Sequence, residues 1–141
     1  MHLPDTNICI YIIDVRPLQV LTRFRERAPG TVAISTITTC ELAFGVAKSL
    51  SERNHRALQM FMAPLGILPF DESVVWQYAQ IRSDLEQQGQ PIGALDRMIA
   101  EHALALGAIL VTNNAKKFSR VADLKIENWV HSNGVFPQEE R

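Results

Sequence analysis

The chain has little of several features that define specialised protein classes. It has two cysteines, Cys9 and Cys40, which are too few for a disulfide scaffold and lack the paired spacing of a metal site. We interpret both as buried thiols of a cytoplasmic protein. The four histidines show no ligand-like spacing, so a structural zinc site is not expected. No apolar run approaches the ~20 residues of a membrane span, and no signal peptide is recognisable at the start.

An excess of charge of one sign is also absent. The 141 residues carry a formal net charge of −1, which argues against sequence-independent nucleic-acid binding through a broad basic surface. A local site for a few phosphates is still compatible with that balance. The length and the hydrophobic content of 47% are typical of one globular domain with a full-sized core.

Helical and strand patterns alternate along the chain. After a very short opening strand, the pattern predicts strands over 31–35, 66–70, 108–112 and 125–129. It predicts helices over 6–13, 18–27, 38–50, 51–62, 71–88 and 94–106, and a loop or short helix over 113–124. In the 38–50 helix the apolar stripe is Leu42, Val46 and Leu50. Because strands separated by helices need crossover connections, we expect an α/β fold with a mainly parallel central sheet of about five strands, flanked by helices on both faces.

Four polar residues are candidates for a site on this sheet. Ligands of parallel sheets bind beyond the carboxyl ends of the strands. Asp5 closes the first strand, Glu41 is predicted in the first turn of the helix after 31–35, and Asn114 follows the 108–112 strand. Asp96 lies in the first turn of the 94–106 helix and shares part of its apolar face, where a carboxylate needs a partner.

Each of these residues also has an ordinary structural interpretation. Asp5 suits a helix N-cap, Asp96 the positive end of a helix, Asn114 a turn and Glu41 a solvated helix face. As a group they suit a hard divalent cation, because Mg²⁺ takes oxygen ligands and is usually held by one or two carboxylates plus phosphate. Without a cation, three clustered carboxylates would raise each other's pKa.

Four stretches of the chain carry a family pattern: DTNICIYI (5–12), STITTCELAFGVAKS (35–49), GQPIGALDRMIAEHALALGAILVTNN (89–114) and KIENW (125–129). Together they resemble the PIN-domain ribonucleases, and most of all the VapC-type toxins of bacterial toxin–antitoxin pairs. The likeness spans about residues 3–129, so we assign 1–129 to a PIN domain and 130–141 to a polar C-terminal tail, which we expect to be frayed. The resemblance implies a PIN-like fold and an Mg²⁺- or Mn²⁺-dependent endoribonuclease that cuts single-stranded or loop RNA, often in tRNA.

The same resemblance assigns roles to individual residues. The acids of the pocket are Asp5, Glu41 and Asp96, and Asn114 takes the place of a fourth acid. Asp5 and Asp96 are expected to ligate the metal, Glu41 to ligate it or to act as base on the attacking water, and Asn114 to position a water. The supporting pocket residues are Thr6, Asn7, Thr36, Thr112 and Asn113. Independently of the resemblance, the basic cluster Lys116, Lys117 and Arg120 after the 108–112 strand is a candidate contact to RNA phosphates, for which a solvated face is the alternative.

The chain departs from the family pattern in two places. Pro4 stands where relatives have a residue with a backbone donor, so a central first strand would lack one ladder bond. Lys116 and Lys117 stand where relatives with the same TNN stretch often have another acid. We therefore expect weaker metal binding, and two-metal occupancy does not follow from the resemblance.

The resemblance also implies partners. These are a small VapB-type antitoxin, whose C-terminal segment crosses the acidic groove, and a second copy of the chain in a homodimer or a toxin–antitoxin hetero-oligomer. The candidate dimer interface is Leu58, Met60, Phe61 and Met62, for which the core is the alternative use. Two other functions stay open: a PIN-fold module that binds RNA or protein without cutting, and a Mg-binding receiver or phosphatase-like domain. The receiver domain and the phosphatase-like domain both require a second acid near the end of the first strand, where this chain has Asp5 alone.

Overall fold

Five short parallel strands form the centre of the fold. The computed structural model describes residues 1–130. Its strands are β1 (His2–Pro4), β2 (Ala33–Ser35), β3 (Gly66–Leu68), β4 (Ile109–Val111) and β5 (Lys125–Glu127). All pairings in this part of the chain are parallel, in the orders β1-β4-β5 and β2-β3, and a single bridge between His2 and Val32 joins the two parts. The predicted parallel sheet of about five strands is confirmed.

Pro4 explains why the sheet divides into two parts. Backbone N–H groups alternate in direction along a strand. The N–H of His2 donates to the carbonyl of Thr31 on the β2 side (2.8 Å), whereas the N–H of Asp5 donates to Val111 of β4 (2.9 Å). Position 4 points to the same side as position 2, so the N–H that proline lacks would have pointed to β2. The ladder between β1 and β2 is therefore confined to one bridge, as the missing donor predicts.

The helices lie between the strands in sequence and begin and end at recognisable caps. They are α1 (Thr6–Asp14), α2 (Leu18–Arg25), α3 (Thr36–Ser49), α4 (Glu52–Met62), α5 (Val75–Gln88), α6 (Ala94–Leu106) and α7 (Ala115–Phe118), with a 3₁₀ turn over Glu72–Val74. The side chains of Asp5, Ser35 and Ser51 accept N–H groups at the starts of α1, α3 and α4. Gly107 ends α6 in the left-handed conformation at φ 65°, where glycine carries no side-chain penalty.

The helices cover both faces of the sheet, because successive strand residues point in opposite directions. Leu110 of β4 packs with side chains of α5 and α6, whereas its neighbour Val111 packs with side chains of α1 and α2. A third buried cluster joins β2 to α1, α3 and α4 through Cys9, Ile34, Leu42 and Leu58. The predicted arrangement of helix layers on both faces is confirmed.

Three expectations about single residues are wrong. α3 begins at Thr36 rather than at 38, so Glu41 lies in the second turn of the helix and not in the first. Leu50 does not belong to the buried stripe, since it follows the last residue of α3 at φ 54° with 92% of its surface exposed. Cys40 is exposed, and only Cys9 is a buried thiol.

Residues 131–141, which make up all but the first residue of the predicted tail, lie outside the described residues. Within 1–130, no helix is both long and apolar enough to cross a bilayer.

Candidate active site

Asp5 lies at the carboxyl edge of the sheet, where β1 ends and α1 begins. Its backbone N–H donates to Val111 of β4, and its Oδ1 accepts the N–H of Ile8 at 3.0 Å. The N-cap interpretation of Asp5 is therefore correct. It does not account for the burial of the residue, which is only 6% exposed, because N-cap carboxylates work equally well in solvent.

Burial raises the pKa of Asp5 to about 6, because the low-polarity surroundings disfavour the charged form. Hydrogen bonds from the Thr112 hydroxyl and the Ile8 N–H oppose this effect. The negative charge of Asp96 raises the pKa further, and the positive charge of Lys117 lowers it. The buried carboxylate is thus within electrostatic reach of a second carboxylate and of an ammonium group, and added positive charge would favour its ionised form.

Asp96 has the partner that its position on α6 requires. It lies in the first turn of α6, and its Oδ2 accepts a hydrogen bond of 2.5 Å from Lys117 Nζ. Both side chains are about one-third exposed, at 34% for Asp96 and 28% for Lys117. Asp5 and Asp96, to which the family resemblance assigns direct metal ligation, therefore share a region with the positive charge of Lys117.

Glu41 approaches the same edge from α3. Its Oε1 accepts a hydrogen bond of 2.5 Å from the hydroxyl of Thr6, the residue directly after Asp5. The side chain of Glu41 is half-buried and also lines a groove between α1, α3 and α4. Glu41 is thus oriented by Thr6, and it is not the freely solvated helical glutamate of the alternative interpretation.

The amide and hydroxyl side chains assigned to the pocket mainly organise its backbone. Asn114 caps α7 by accepting the N–H of Lys117 at 3.3 Å, and the Thr112 hydroxyl accepts the N–H of Asn114 at 2.9 Å. Thr36 accepts the N–H of Phe70 at 3.0 Å, which ties the start of α3 to the chain after β3. Asn113 accepts a hydrogen bond from Asn128.

The remaining predicted pocket and phosphate-contact residues differ in exposure. Asn7 and Lys116 are exposed, and Arg120 donates to the carbonyl of Pro91 at 3.1 Å. None of the three has a contact with Asp5, Glu41 or Asp96 among the hydrogen bonds of residues 1–130, so their roles stay predictions.

Asp5 and Asp96 fit a hard divalent cation. They supply carboxylate oxygens, one of them is buried with a raised pKa, and an ammonium group already lies against the other. In residues 1–130, however, no group of three or more His, Cys, Asp and Glu side chains is arranged to hold a metal ion. The structure thus associates Asp5 with Asp96 and holds Glu41 on Thr6, without joining all three into one ligand cluster. The metal-ligating role of Glu41 stays a prediction.

Sequence reasoning treated Lys117 as an RNA contact and missed its pairing with Asp96. The signal was available in part, because Asp96 on an apolar helix face needs a counter-charge. It also missed a buried ion pair on α6, in which Arg97 Nε donates to Glu101 Oε2 at 2.9 Å. The i,i+4 spacing of these two residues would have indicated it.

A parallel α/β fold with acidic side chains at its carboxyl edge is the architecture of PIN-domain nucleases, and a PIN domain matches residues 3–124 of this chain. The chain is 41% identical over 126 residues to the tRNA(fMet)-specific endonuclease VapC of Shigella flexneri, which covers 89% of this chain and 95% of that protein. It is 42% identical over 130 residues to ribonuclease VapC2 of Haemophilus influenzae, covering 92% and 98% of the two chains.

A solved structure agrees with these relatives. The crystal structure of VapBC2 from Rickettsia felis, bound to a DNA fragment from its promoter, matches with a TM-score of 0.85 at 41% identity and covers 91% of this chain and 98% of that one. The chain therefore belongs to the PIN-domain family and, within it, to the VapC ribonucleases. It is an endoribonuclease, and PIN-domain ribonucleases generally depend on a divalent metal ion.

Proposed function

We propose that this endoribonuclease is a toxin that cleaves tRNA in the cytoplasm with Mg²⁺ or Mn²⁺ and is neutralised by a cognate VapB-type antitoxin. The observation that carries the proposal is that Asp5, buried at the carboxyl edge of the sheet, lies within electrostatic reach of Asp96. The substrate class is taken from the Shigella flexneri relative, whose name specifies tRNA(fMet), and the partner class from the VapBC complex of Rickettsia felis.

Each residue of the site would have a different role in hydrolysis. Asp5 and Asp96 would hold the divalent ion, which when bound supplies positive charge to the phosphate and lowers the pKa of water. Glu41 accepts a proton from the attacking water in an orientation that Thr6 fixes. The water oxygen forms a bond to phosphorus, the bond from phosphorus to one ribose oxygen breaks, and that oxygen takes up a proton. Asn114 and Thr112 would position the attacking water.

Basic side chains near the site would contact the flanking phosphates of the RNA. Lys116 is exposed on α7, and Arg120 lies just beyond the end of that helix. Lys117 is committed to Asp96 in the absence of substrate, so we assign the flanking contacts to Lys116 and Arg120.

Replacing Asp5 tests the proposal. Asp5→Asn keeps a good N-cap for α1 but removes the charge, so we expect RNA cleavage to fall at least ~100-fold while the fold is retained. Asp84→Asn on α5 is the matched control and should cleave normally, and EDTA should abolish cleavage by both wild type and control. Cleaved ends should be mapped by sequencing total RNA after induced expression. Undiminished cleavage by Asp5→Asn would remove Asp5 from the mechanism, and RNA binding without any cutting by the wild type would favour the non-cleaving alternative.

The groove that Glu41 lines suits the C-terminal segment of the antitoxin. It lies between α1, α3 and α4, is largely apolar, and includes Ile10, Ile13, Gly45, Val46 and Ala57. One carboxylate, Glu41, stands both in this groove and beside Thr6 of the acidic edge. A peptide with apolar side chains and one Arg or Lys would therefore fill the groove and reach the acids.

We also propose a homodimer. Of the predicted interface residues, Leu58 is buried, Phe61 and Met62 pack against core clusters, and Met60 is 77% exposed. Light scattering across micromolar concentrations tests the dimer, and a monomer throughout would contradict it.

A further inference from the structure

The ammonium group of Lys117 lies among the carboxylates of the acidic site. Lys117 Nζ lies 2.5 Å from Asp96 Oδ2, and its charge also acts on Asp5, which is 6% exposed. A hydrogen bond between an ammonium group and a carboxylate is charge-assisted, and such bonds are roughly twice as strong as those between neutral groups. Lys117 is thus the residue through which positive charge reaches both carboxylates in the absence of a metal ion.

The backbone holds Lys117 in this place. Its own N–H donates to the side chain of Asn114, the N-cap of α7, and the next residue, Phe118, is 1% exposed in the core. The ammonium group lies 5.6 Å from the centre of the Phe118 ring. Lys116, one residue earlier, is exposed and has no ion pair among residues 1–130, so the two adjacent lysines differ in environment.

Charge balance indicates what this ammonium group does. The three carboxylates of the acidic edge, Asp5, Glu41 and Asp96, carry a charge of −3 when ionised, although they do not form one ligand cluster. With Lys117 the net charge of the edge is −2, which one divalent cation neutralises. With a carboxylate at position 117 the net charge would be −4, which two divalent cations neutralise. The ammonium group would also repel a cation held by the same Asp96 carboxylate, and partial shielding of the site from water would strengthen that repulsion.

We propose that Lys117 is a resident cation of the site, which takes the place of a second divalent ion and competes with the first for Asp96. The inference rests on the proposed metal site at Asp5 and Asp96 and deepens it. Lys117 sets the stoichiometry at one ion per chain and weakens the affinity for that ion.

Counting bound Mn²⁺ tests this inference without any measurement of RNA cleavage. Isothermal titration calorimetry and the electron paramagnetic resonance signal of free Mn²⁺ give the number of ions and the Kd for the full chain. We expect one ion for the wild type, and for Lys117→Met one ion bound about fivefold more tightly. Lys117→Glu should bind two ions, or one ion at least tenfold more tightly. Lys117→Arg keeps the charge and should resemble the wild type.

Lys116→Glu is the matched control, because it makes the same charge change one residue away on the exposed side of α7. It should bind one ion with less than a twofold change in Kd. Circular dichroism of each variant verifies folding. Two ions in the wild type, unchanged affinity in Lys117→Met, or an equal effect of Lys116→Glu would overturn the inference and leave the proposed metal site intact. Absence of Mn²⁺ binding in the wild type and in every variant would overturn the metal site itself, and the inference with it.

Discussion

The hydroxyl of Thr6 donates a hydrogen bond of 2.5 Å to the carboxylate of Glu41, and Thr6 is the residue that follows Asp5. This contact joins α1 to α3 at the acidic edge. Side chains distant along the chain are thereby oriented by one short hydrogen bond, and its removal has a definite expected effect.

Thr6→Val should lower the turnover number for RNA cleavage about tenfold while KM changes little. Valine keeps the shape of threonine but cannot hold Glu41, so the proposed base would lose its orientation without loss of substrate contacts. Thr6→Ser retains the hydroxyl and should recover most of the activity. Steady-state kinetics on a tRNA substrate measure both values. Equal loss in the serine and valine variants would show that the hydroxyl is not what matters.

The buried Glu101 should make the protein less stable as pH rises. Burial raises its pKa to about 7 from 4.5, despite the opposing charge of Arg97. Between these values the folded state binds more protons than the unfolded state, so the free energy of unfolding falls with rising pH. The stabilisation is complete below pH ~4.5 and is lost as pH passes ~7, with a total of at most about 3 kcal/mol.

Glu101→Gln should therefore flatten the dependence of Tm on pH. The variant should melt about 5 °C above the wild type at pH 8 in EDTA, and at nearly the same temperature at pH 5. Glu86→Gln is the control, because Glu86 pairs with Arg82 at the same i,i+4 spacing on an exposed face. Thermal unfolding followed by circular dichroism provides the measurement. Parallel pH profiles for the wild type and Glu101→Gln would contradict the assignment.

Gly45→Arg should prevent neutralisation by the antitoxin without loss of the fold. A Cβ added at Gly45 meets no atom within 4 Å, and Gly45 lines the groove, so we expect the arginine side chain to occupy the groove rather than the core. Its bulk and charge would exclude an apolar segment that carries its own cation. We expect copurification with the antitoxin to be lost and toxicity to persist during coexpression.

Gly45→Ala is the matched control for the groove. The added methyl group fits, and alanine stabilises a helix interior by about 1 kcal/mol relative to glycine. This variant should still bind the antitoxin. Normal binding of Gly45→Arg would place the antitoxin elsewhere on the surface.

The sequence predicted the fold well because its signals are local. Caps such as Asp5 and Ser51, and the stop at Gly107, depend on neighbours only a few residues away. The position of Asp96 beside Asp5 could not be derived in this way, because Asp96 precedes its strand and no periodicity links α6 to β1. The family resemblance predicted that proximity.

The pairing of Lys117 with Asp96 could not be predicted from the sequence pattern for a related reason. α7 has only four residues, too few to show a helical stripe, so nothing distinguished Lys117 from exposed Lys116. The pairing depends on where two separate helices, α6 and α7, meet in space. The prediction that Leu50 lies in the buried stripe was wrong for a different reason, since α3 ends one residue before the apolar pattern does.

The division of the sheet at Pro4 affects how the spacing between Asp5 and Glu41 is fixed. Asp5 belongs to the three-stranded part of the sheet, whereas Glu41 is carried by the helix that leaves the two-stranded part. A continuous ladder of backbone hydrogen bonds between β1 and β2 would fix the spacing of these two carboxylates rigidly. With one bridge between the two parts, that spacing is instead set by side-chain packing and by the hydrogen bond from Thr6 to Glu41. We therefore expect the distance between Asp5 and Glu41 to change when the protein binds RNA.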